Sequence, residues 1–523
     1  MNTKILTTTK KDIAEAGEII KNGGLVAFPT ETVYGLGANA LDEKAVKSIY
    51  AAKGRPSDNP LIVHIAEKED IVPLVKEVTP AAKALIDEFF PAPLTIILEK
   101  SEIIPDATSG GLDTVAVRMP KNETARELIK ASGCPIAAPS ANTSGLPSPT
   151  KAQHVIDDMS GKIDAIIDGG DCDYGVESTV ITLATGVPTI LRPGAVTKEM
   201  LEAVLGRVEV SPAVLSGMAE NETAASPGMK YKHYSPKAEI ILVEGKKERF
   251  EEFVNTKKNA FALCFEGDCV NIPHLTYGSE SDDLSQAKEL FDALRRLDET
   301  GAKKVYARAP HKNGVGMAVY NRIIRAAAFK VIDLNKPFIL GLTGQTGAGK
   351  GYVGEMLKAL GYNVIDSDLV SRKLTEKGSP VLPVLQSEFG GDIVKNGELD
   401  RALLAKRAFS SRERTDALNR ILHPAIIERC KAQAKGLSVI DAPQLFEAGL
   451  EKDCCRVIAV TAPKETRLKR IIARDGITKE KALLRINAQL PEEYYIKNSD
   501  AVLINDGSTD VKKAVEETLE KVL

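Results

Sequence analysis

The chain has 523 residues, of which 43% are hydrophobic and 27% charged, with a net charge of −3. That length predicts about three domains, each large enough to bury a core, and the near-neutral balance excludes a polybasic nucleic-acid or membrane module. No run reaches the ~18 apolar residues of a membrane helix, the polar start MNTKILTTTKKD reads as no signal peptide, and seven cysteines without a CxxC pair fit a reducing cytoplasm.

In chain order, Asp12 to Asn22 places Ile13, Ala16, Ile19 and Ile20 on one helical face, and Gly23-Gly24 stops the helix. LVAF (25–28), LIVHI (61–65), LTIIL (94–98), TVAVR (114–118) and STVITL (178–183) read as strands, and 42–52, 79–90 and 122–132 as helices. This predicts a first α/β domain over 1–210 with a large, open, mixed sheet. Residues 211–236 are poor in branched apolar residues and punctuated by Pro227-Gly228 and Ser235-Pro236, which predicts a linker. A small α/β domain follows over 237–333, with strands near 239–243, 259–264 and 303–307 and a helix over 315–329. The pattern restarts after Lys336, and 337–523 reads as an α/β domain with a parallel sheet.

Five polar clusters interrupt the strands of the first domain: PTETVYGLG (29–37), KGRPSDNP (53–60), RMP (118–120), SANTSGLPSPT (140–150), and ESTV with LRPG (177–180, 191–194). Each falls at a strand end or in a loop, where binding groups collect in α/β sheets. Lys53 and Arg55 flank a single glycine; in a loop, that spacing aims two cations at one polyphosphate. Ser140, Asn142, Ser144 and Ser148 supply small donors. One such cluster is an ordinary turn, and His64 alone reads as a core histidine, but five clusters in one unit point to a nucleotide site.

In this order the clusters resemble the threonylcarbamoyl-AMP synthase family. SPGMKYKHYSP (226–236) resembles the linker of its longer form, and GMAVYNRIIRAAA (316–328) the end of that form's second domain. FFPAPLT (89–95) departs from the usual FWPGPLT at Phe90 and Ala92, a packing change. The resemblance covers residues 1–333 and implies a reaction of L-threonine, bicarbonate and ATP. A carbamate attacks the α-phosphate, pyrophosphate leaves, and the adenylate serves tRNA threonylcarbamoyladenosine synthesis through a downstream transferase machinery. It further implies that Lys53, Arg55 and Asn59 hold the triphosphate, and that Thr32, His64, Arg118 and Ser178 surround threonine, with Arg118 against its carboxylate. Ser140, Asn142, Ser148 and Arg192 would hold the nucleotide, and Tyr234 would close over the pocket as part of a polar lid. The small domain is expected to be structural or regulatory. A rival reading makes the first domain an RNA-binding module; its acidic balance limits that to a weak tRNA contact.

In the last domain, FILGLTGQTGAGK runs from a strand into Gly344, Gly347 and Gly349, then Lys350 and a helix starting near Tyr352. Backbone N–H groups of such a loop cradle phosphates, and the lysine reaches the β- and γ-phosphates. Gly351 stands where the motif has the Ser or Thr that ligates Mg²⁺. NVIDSDLVSR (363–372), LDRALLAKRAF (399–409), LNRILHP (418–424), DAPQLFEAG (441–449), RIIARDGITKEKALLRINAQ (470–489) and SDAVLIND (499–506) complete a resemblance to dephospho-CoA kinase. It implies transfer of the γ-phosphoryl of ATP, with Mg²⁺, to the ribose 3′-hydroxyl of dephospho-CoA. Asp368 would be the base or metal-linked carboxylate, with Asp366 the alternative. Arg372 and Arg401 would hold the acceptor and Arg474 would close a lid. His423-Pro424 reads as a structural turn. The rival here is an ATP sensor without transfer, motivated by Gly351.

Overall fold

The computed structural model describes residues 2–54, 59–216, 234–335, 337–507 and 510–522. They form two compact units, 1–332 and 333–523.

The first unit opens with a helix, Lys10–Lys21, whose N-cap Thr9 accepts from the Asp12 backbone N–H and which buries Ile13, Ala16, Gly17 and Ile20. A Cβ on Gly17 would lie 2.7 Å from the Ala131 backbone. Glycine therefore allows this helix to pack directly on the helix Glu123–Ser132. Behind these helices lies an eleven-stranded mixed sheet. Its middle runs Gly35–Asn39, Ile136–Ala137, Ile62–His64, Thr114–Arg118, Leu94–Glu99, Thr179–Thr182 and Thr189–Arg192, in that spatial order. Ile62–His64 and Thr114–Arg118 are parallel and in register, with His64 opposite Arg118. That register sets a ring and a guanidinium side by side at one end of the sheet.

The sequence reading missed several of these strands. PTETVYGLG reads as a polar cluster at a strand end or in a loop, yet Gly35–Asn39 is itself a strand that pairs with Val26–Phe28 and with Ile136–Ala137. Glycine lowers strand propensity, but the Phe28 ring lies where a Cβ on Gly35 or Gly37 would fall, at 3.2 and 2.8 Å. The small residues are what let the aromatic cross the strand.

A second, five-stranded sheet of the same unit runs His274–Ser279, Phe261–Glu266, Lys304–Arg308, Glu239–Glu244 and Val331–Asp333, covered by the helices Asp283–Thr300 and Gly316–Ala326. Its apolar core is continuous with Val33, Val176 and Tyr234. The sheet therefore seals onto the first one through packed side chains.

The second unit has five parallel strands in the order Asn363–Asp366, Leu437–Asp441, Phe338–Thr343, Arg456–Thr461 and Ala501–Ile504. The strand feeding the glycine loop is central, and the helix Lys350–Ala359 follows it. The turn expected at His423-Pro424 is not there: Pro424 lies inside the helix Arg412–Gln433. A 22-residue helix absorbs the one backbone bond that proline removes. Among the described residues, no helix is long and apolar enough to cross a membrane.

Candidate active sites

The cavity of the first unit is lined by Thr30, Val33, Gly35, Lys53, Ile62, His64, Arg118, Ala138, Pro139, Ser140, Asn142, Ser144, Gly145, Glu177, Arg192 and Tyr234. Eight residues singled out from the sequence thus meet there: Lys53, His64, Arg118, Ser140, Asn142, Ser144, Arg192 and Tyr234. Arg55 lies outside the described residues, as does 217–233, most of the expected linker.

Lys53 is the last residue of the helix Glu43–Lys53 and not part of a loop, because Gly54 ends that helix in the left-handed region at φ 62°. Its ammonium donates to the Ser140 carbonyl, to the Asn142 carbonyl at 2.6 Å and to Asn142 Oδ1 at 3.2 Å. It clamps the 140–142 loop and keeps its charge in the cavity wall. Arg118 Nη2 donates to Glu31 Oε1 at 2.6 Å, and both side chains are buried. Among the described residues its Nε has no hydrogen-bond partner. Burial and the Arg118 charge push His64 down to about 3, so the ring is neutral at pH 7.

Thr32, Ser148 and Ser178, expected to touch substrate or nucleotide, do not line the cavity. They are fully buried, and their hydroxyls are engaged: Thr32 with Thr30 at 2.9 Å, Ser148 with Glu177 at 2.7 Å, Ser178 with Thr95 at 2.8 Å. Asn59 is equally buried, and among the described residues neither polar atom of its amide has a hydrogen-bond partner. Tyr234 is no polar strap. It packs on Phe291 at 5.0 Å within the apolar core of the second sheet while lining the cavity. Glu31 and Glu177 were missed, although both stood inside the polar clusters as acids beside threonine or serine.

In the second unit, a cavity is lined by Gly344, Gln345, Thr346, Gly347, Gly349, Lys350, Gly351, Asp368, Pro443, Arg470, Ala473, Arg474 and Gln489. Gly344, Gly347 and Gly349 all have positive φ, and a Cβ on Gly344 would meet the Val460 carbonyl oxygen at 2.2 Å. Lys350 Nζ pairs with Asp441 Oδ1 at 3.1 Å. Burial raises the Asp441 carboxyl above its ordinary value, Asp366 and Asp368 add to this, and Lys350 opposes it. Asp366 Oδ1 is occupied as the N-cap of the helix Ser367–Leu374, accepting from the Asp368 and Leu369 N–H groups at 2.8 and 3.0 Å. Asp368 faces the cavity instead.

Arg474 lines this cavity with an exposed side chain paired to Asp475 at 2.7 Å. Arg372 and Arg401 meet each other, Arg401 Nη2 donating to the Arg372 carbonyl at 3.1 Å, but neither lines it. Arg470 was missed; it donates to the Asn505 carbonyl at 3.1 Å and to the Ala348 carbonyl at 3.3 Å, holding the glycine loop. Asp441 was missed too, though an aspartate ending an apolar run, LSVIDAP, is a readable signal. Among the described residues no group of three or more His, Cys, Asp or Glu could cage a metal. Mg²⁺ bound with a nucleotide needs only one or two carboxylates, and Asp368 and Asp441 are hard oxygen donors that fit it.

Comparison with known proteins gives three family matches. A family model described as telomere recombination matches residues 18–194, one described as the threonylcarbamoyl-AMP synthase C-terminal domain matches 196–328, and one described as dephospho-CoA kinase matches 338–510. The threonylcarbamoyl-AMP synthase of Pyrococcus abyssi is 48% identical over 330 residues, covering 61% of this chain and 95% of that protein. The dephospho-CoA kinase of Carboxydothermus hydrogenoformans is 36% identical over 193 residues, covering 35% of this chain and 91% of that protein. Among solved structures, P. abyssi Sua5 complexed with L-threonine has 46% identity and a TM-score of 0.61, covering 63% of this chain and 99% of that one.

Proposed function

The chain belongs to the threonylcarbamoyl-AMP synthases in its first unit and to the dephospho-CoA kinases in its second, so it is a bifunctional enzyme, and we propose how its own residues divide the two chemistries. The first cavity takes L-threonine, bicarbonate and ATP. The observation that carries this reading is a neutral His64 in register beside a buried Arg118 whose Nε has no hydrogen-bond partner among the described residues. Arg118 faces the threonine carboxylate through that Nε, and Glu31 holds the guanidinium still. Lys53 fixes the 140–142 loop so that Ser140 and Asn142 receive the nucleotide, together with Arg192. Asn59 and Arg55 take the triphosphate. No covalent nucleophile is required; the carbamate attacks the α-phosphate in a site that positions it and spreads the developing charge. Tyr234 closes the wall and excludes water from the adenylate. The product passes to a transferase acting on tRNA, with at most a weak tRNA contact here.

In the second cavity the glycine loop cradles ATP, Lys350 contacts the β- and γ-phosphates, and Asp368 accepts the proton of the ribose 3′-hydroxyl of dephospho-CoA. Arg470 holds the loop, Arg474 closes over the phosphates, and Arg372 and Arg401 reach the acceptor from outside the loop. Asp441 and Asp368 would hold Mg²⁺, which supplies charge neutralisation on the transferring group. All seven cysteines are free thiols, which supports a cytoplasmic setting.

A substrate panel on the purified chain tests both halves. The expected results are pyrophosphate released from ATP only with threonine and bicarbonate, and coenzyme A formed from dephospho-CoA and ATP. Absence of either product refutes that half.

A further inference from the structure

The helix Gly316–Ala326 belongs to the second sheet of the first unit, yet one of its side chains reaches the wall of the synthase cavity. Arg322 is wholly buried. Its Nε donates to Glu177 Oε2 at 2.8 Å and its Nη2 to the Glu177 carbonyl at 3.2 Å, while Nη1 donates to the Pro193 carbonyl at 2.5 Å. One guanidinium thus grips both segments that carry Ser178 and Arg192. Its partner Glu177 lines the cavity and, through Oε1, accepts from Ser148 at 2.7 Å. Arg192, also on the cavity wall, is tied to the same place, donating to the Ser178 carbonyl and hydroxyl at 3.1 Å each. Neighbouring Asn321 and Arg325 dock the helix on the Val214 and Ala213 carbonyls at 2.7 and 2.9 Å.

We infer that Arg322 is a positioning residue of the synthase reaction: by fixing Glu177 and the 177–178 and 192–194 segments, it makes the second sheet a working part of the active-site wall. This rests on the assignment of the cavity to threonylcarbamoyl-AMP synthesis. It revises the expectation that the small domain stands apart from catalysis. A buried carboxylate costs several kcal/mol unless paired. Burial would raise Glu177, but Arg322 and Arg192 together hold it down to about 2. Among the described residues, Tyr234, Arg325 and, beside Arg192, Arg118 are further titratable or charged groups acting on this cluster. Without Arg322 the carboxylate keeps Arg192 alone and takes up a proton far more readily. Ser148 then loses its ionised acceptor and Arg192 its counter-charge.

The test uses the full chain and measures threonine-dependent pyrophosphate release against pH, with coenzyme A formation in the same sample as the standard for protein amount. Arg322→Met is expected to lower kcat by about 100-fold, the scale of one lost electrostatic contact, and to move the acid limb of the rate upward by at least one pH unit. Arg322→Lys keeps the charge, so its acid limb stays in place although its rate falls. Glu177→Gln/Arg322→Met removes the buried carboxylate together with its partner and leaves nothing to titrate there, so it should be slow with no shifted limb. A wild-type rate in Arg322→Met or in the double variant overturns the inference, and so does a slow Arg322→Met with an unmoved acid limb. Were the wild-type chain itself to release no pyrophosphate with threonine, the assignment of the cavity would fail, not the role of Arg322 within it.

Discussion

His64 and Gly351 show how single residues set measurable behaviour. His64 is buried and held down to about 3, against an ordinary value of 6.5. Between those values the unfolded chain binds a proton that the folded chain refuses. Stability is therefore fully present above pH 6.5 and lost as pH falls toward 3, by up to about 1.4 kcal/mol per pH unit for one proton. Urea midpoints of the first unit between pH 7.5 and 5 should fall more steeply in the native chain than in His64→Gln; equal slopes would refute the buried neutral ring. Gly351 sits in the kinase cavity with nothing within 4 Å of a Cβ built on it, so a serine fits without strain. One metal contact fewer is expected to cost roughly ten- to hundredfold in rate, for a few kcal/mol. Gly351→Ser should raise coenzyme A formation and lower the Mg²⁺ concentration giving half-maximal rate. Superimposable Mg²⁺ curves would mean that the hydroxyl is dispensable.

At the scale of elements, one short helix separates two aspartates that the sequence left as alternatives. Asp366 caps Ser367–Leu374 through two backbone N–H groups, and Asp368 in the first turn faces the glycine loop. Loss of a cap costs ~1 kcal/mol, whereas loss of a general base costs ~100-fold or more in rate. Asp366→Ala should therefore lower the unfolding midpoint while leaving most of kcat, and Asp368→Asn should do the reverse. If Asp366→Ala proves the slower enzyme, the two roles are exchanged. The same logic explains Lys53. As an isolated letter before Gly-Arg it reads as a loop cation, but Gly54 closes a helix there, and the ammonium points at the 140–142 carbonyls. Helix ends decide which way a charge faces.

Across the whole molecule, each of the two units has its own sheets and its own apolar clusters: in the first, one includes Leu36, Val63 and Ile181 and another Leu263 and Leu294, and in the kinase one includes Ile339, Ile440 and Val457. Residues 333–523 expressed alone should keep the coenzyme A-forming kcat of the full chain within about twofold, and calorimetry of the full chain should resolve two transitions, since separate cores unfold separately. A kinase lost on separation would show that it needs the first unit.

By itself the sequence determined the α/β character of every part, the strand that feeds the glycine loop and many of the residues around both cavities. These rest on local signals: apolar periodicity, glycine spacing and polar clusters at strand ends. The sequence does not show which way the hydroxyls of Thr32, Ser148 and Ser178 turn. Only the tertiary structure decided that they meet Thr30, Glu177 and Thr95, that Glu31 holds Arg118, and that Tyr234 is anchored on Phe291. Glu177 and Arg322 make the point most plainly, since 145 residues separate the partners of one buried ion pair. No periodicity spans that distance; burial and charge pairing become visible only when the two sheets have packed together.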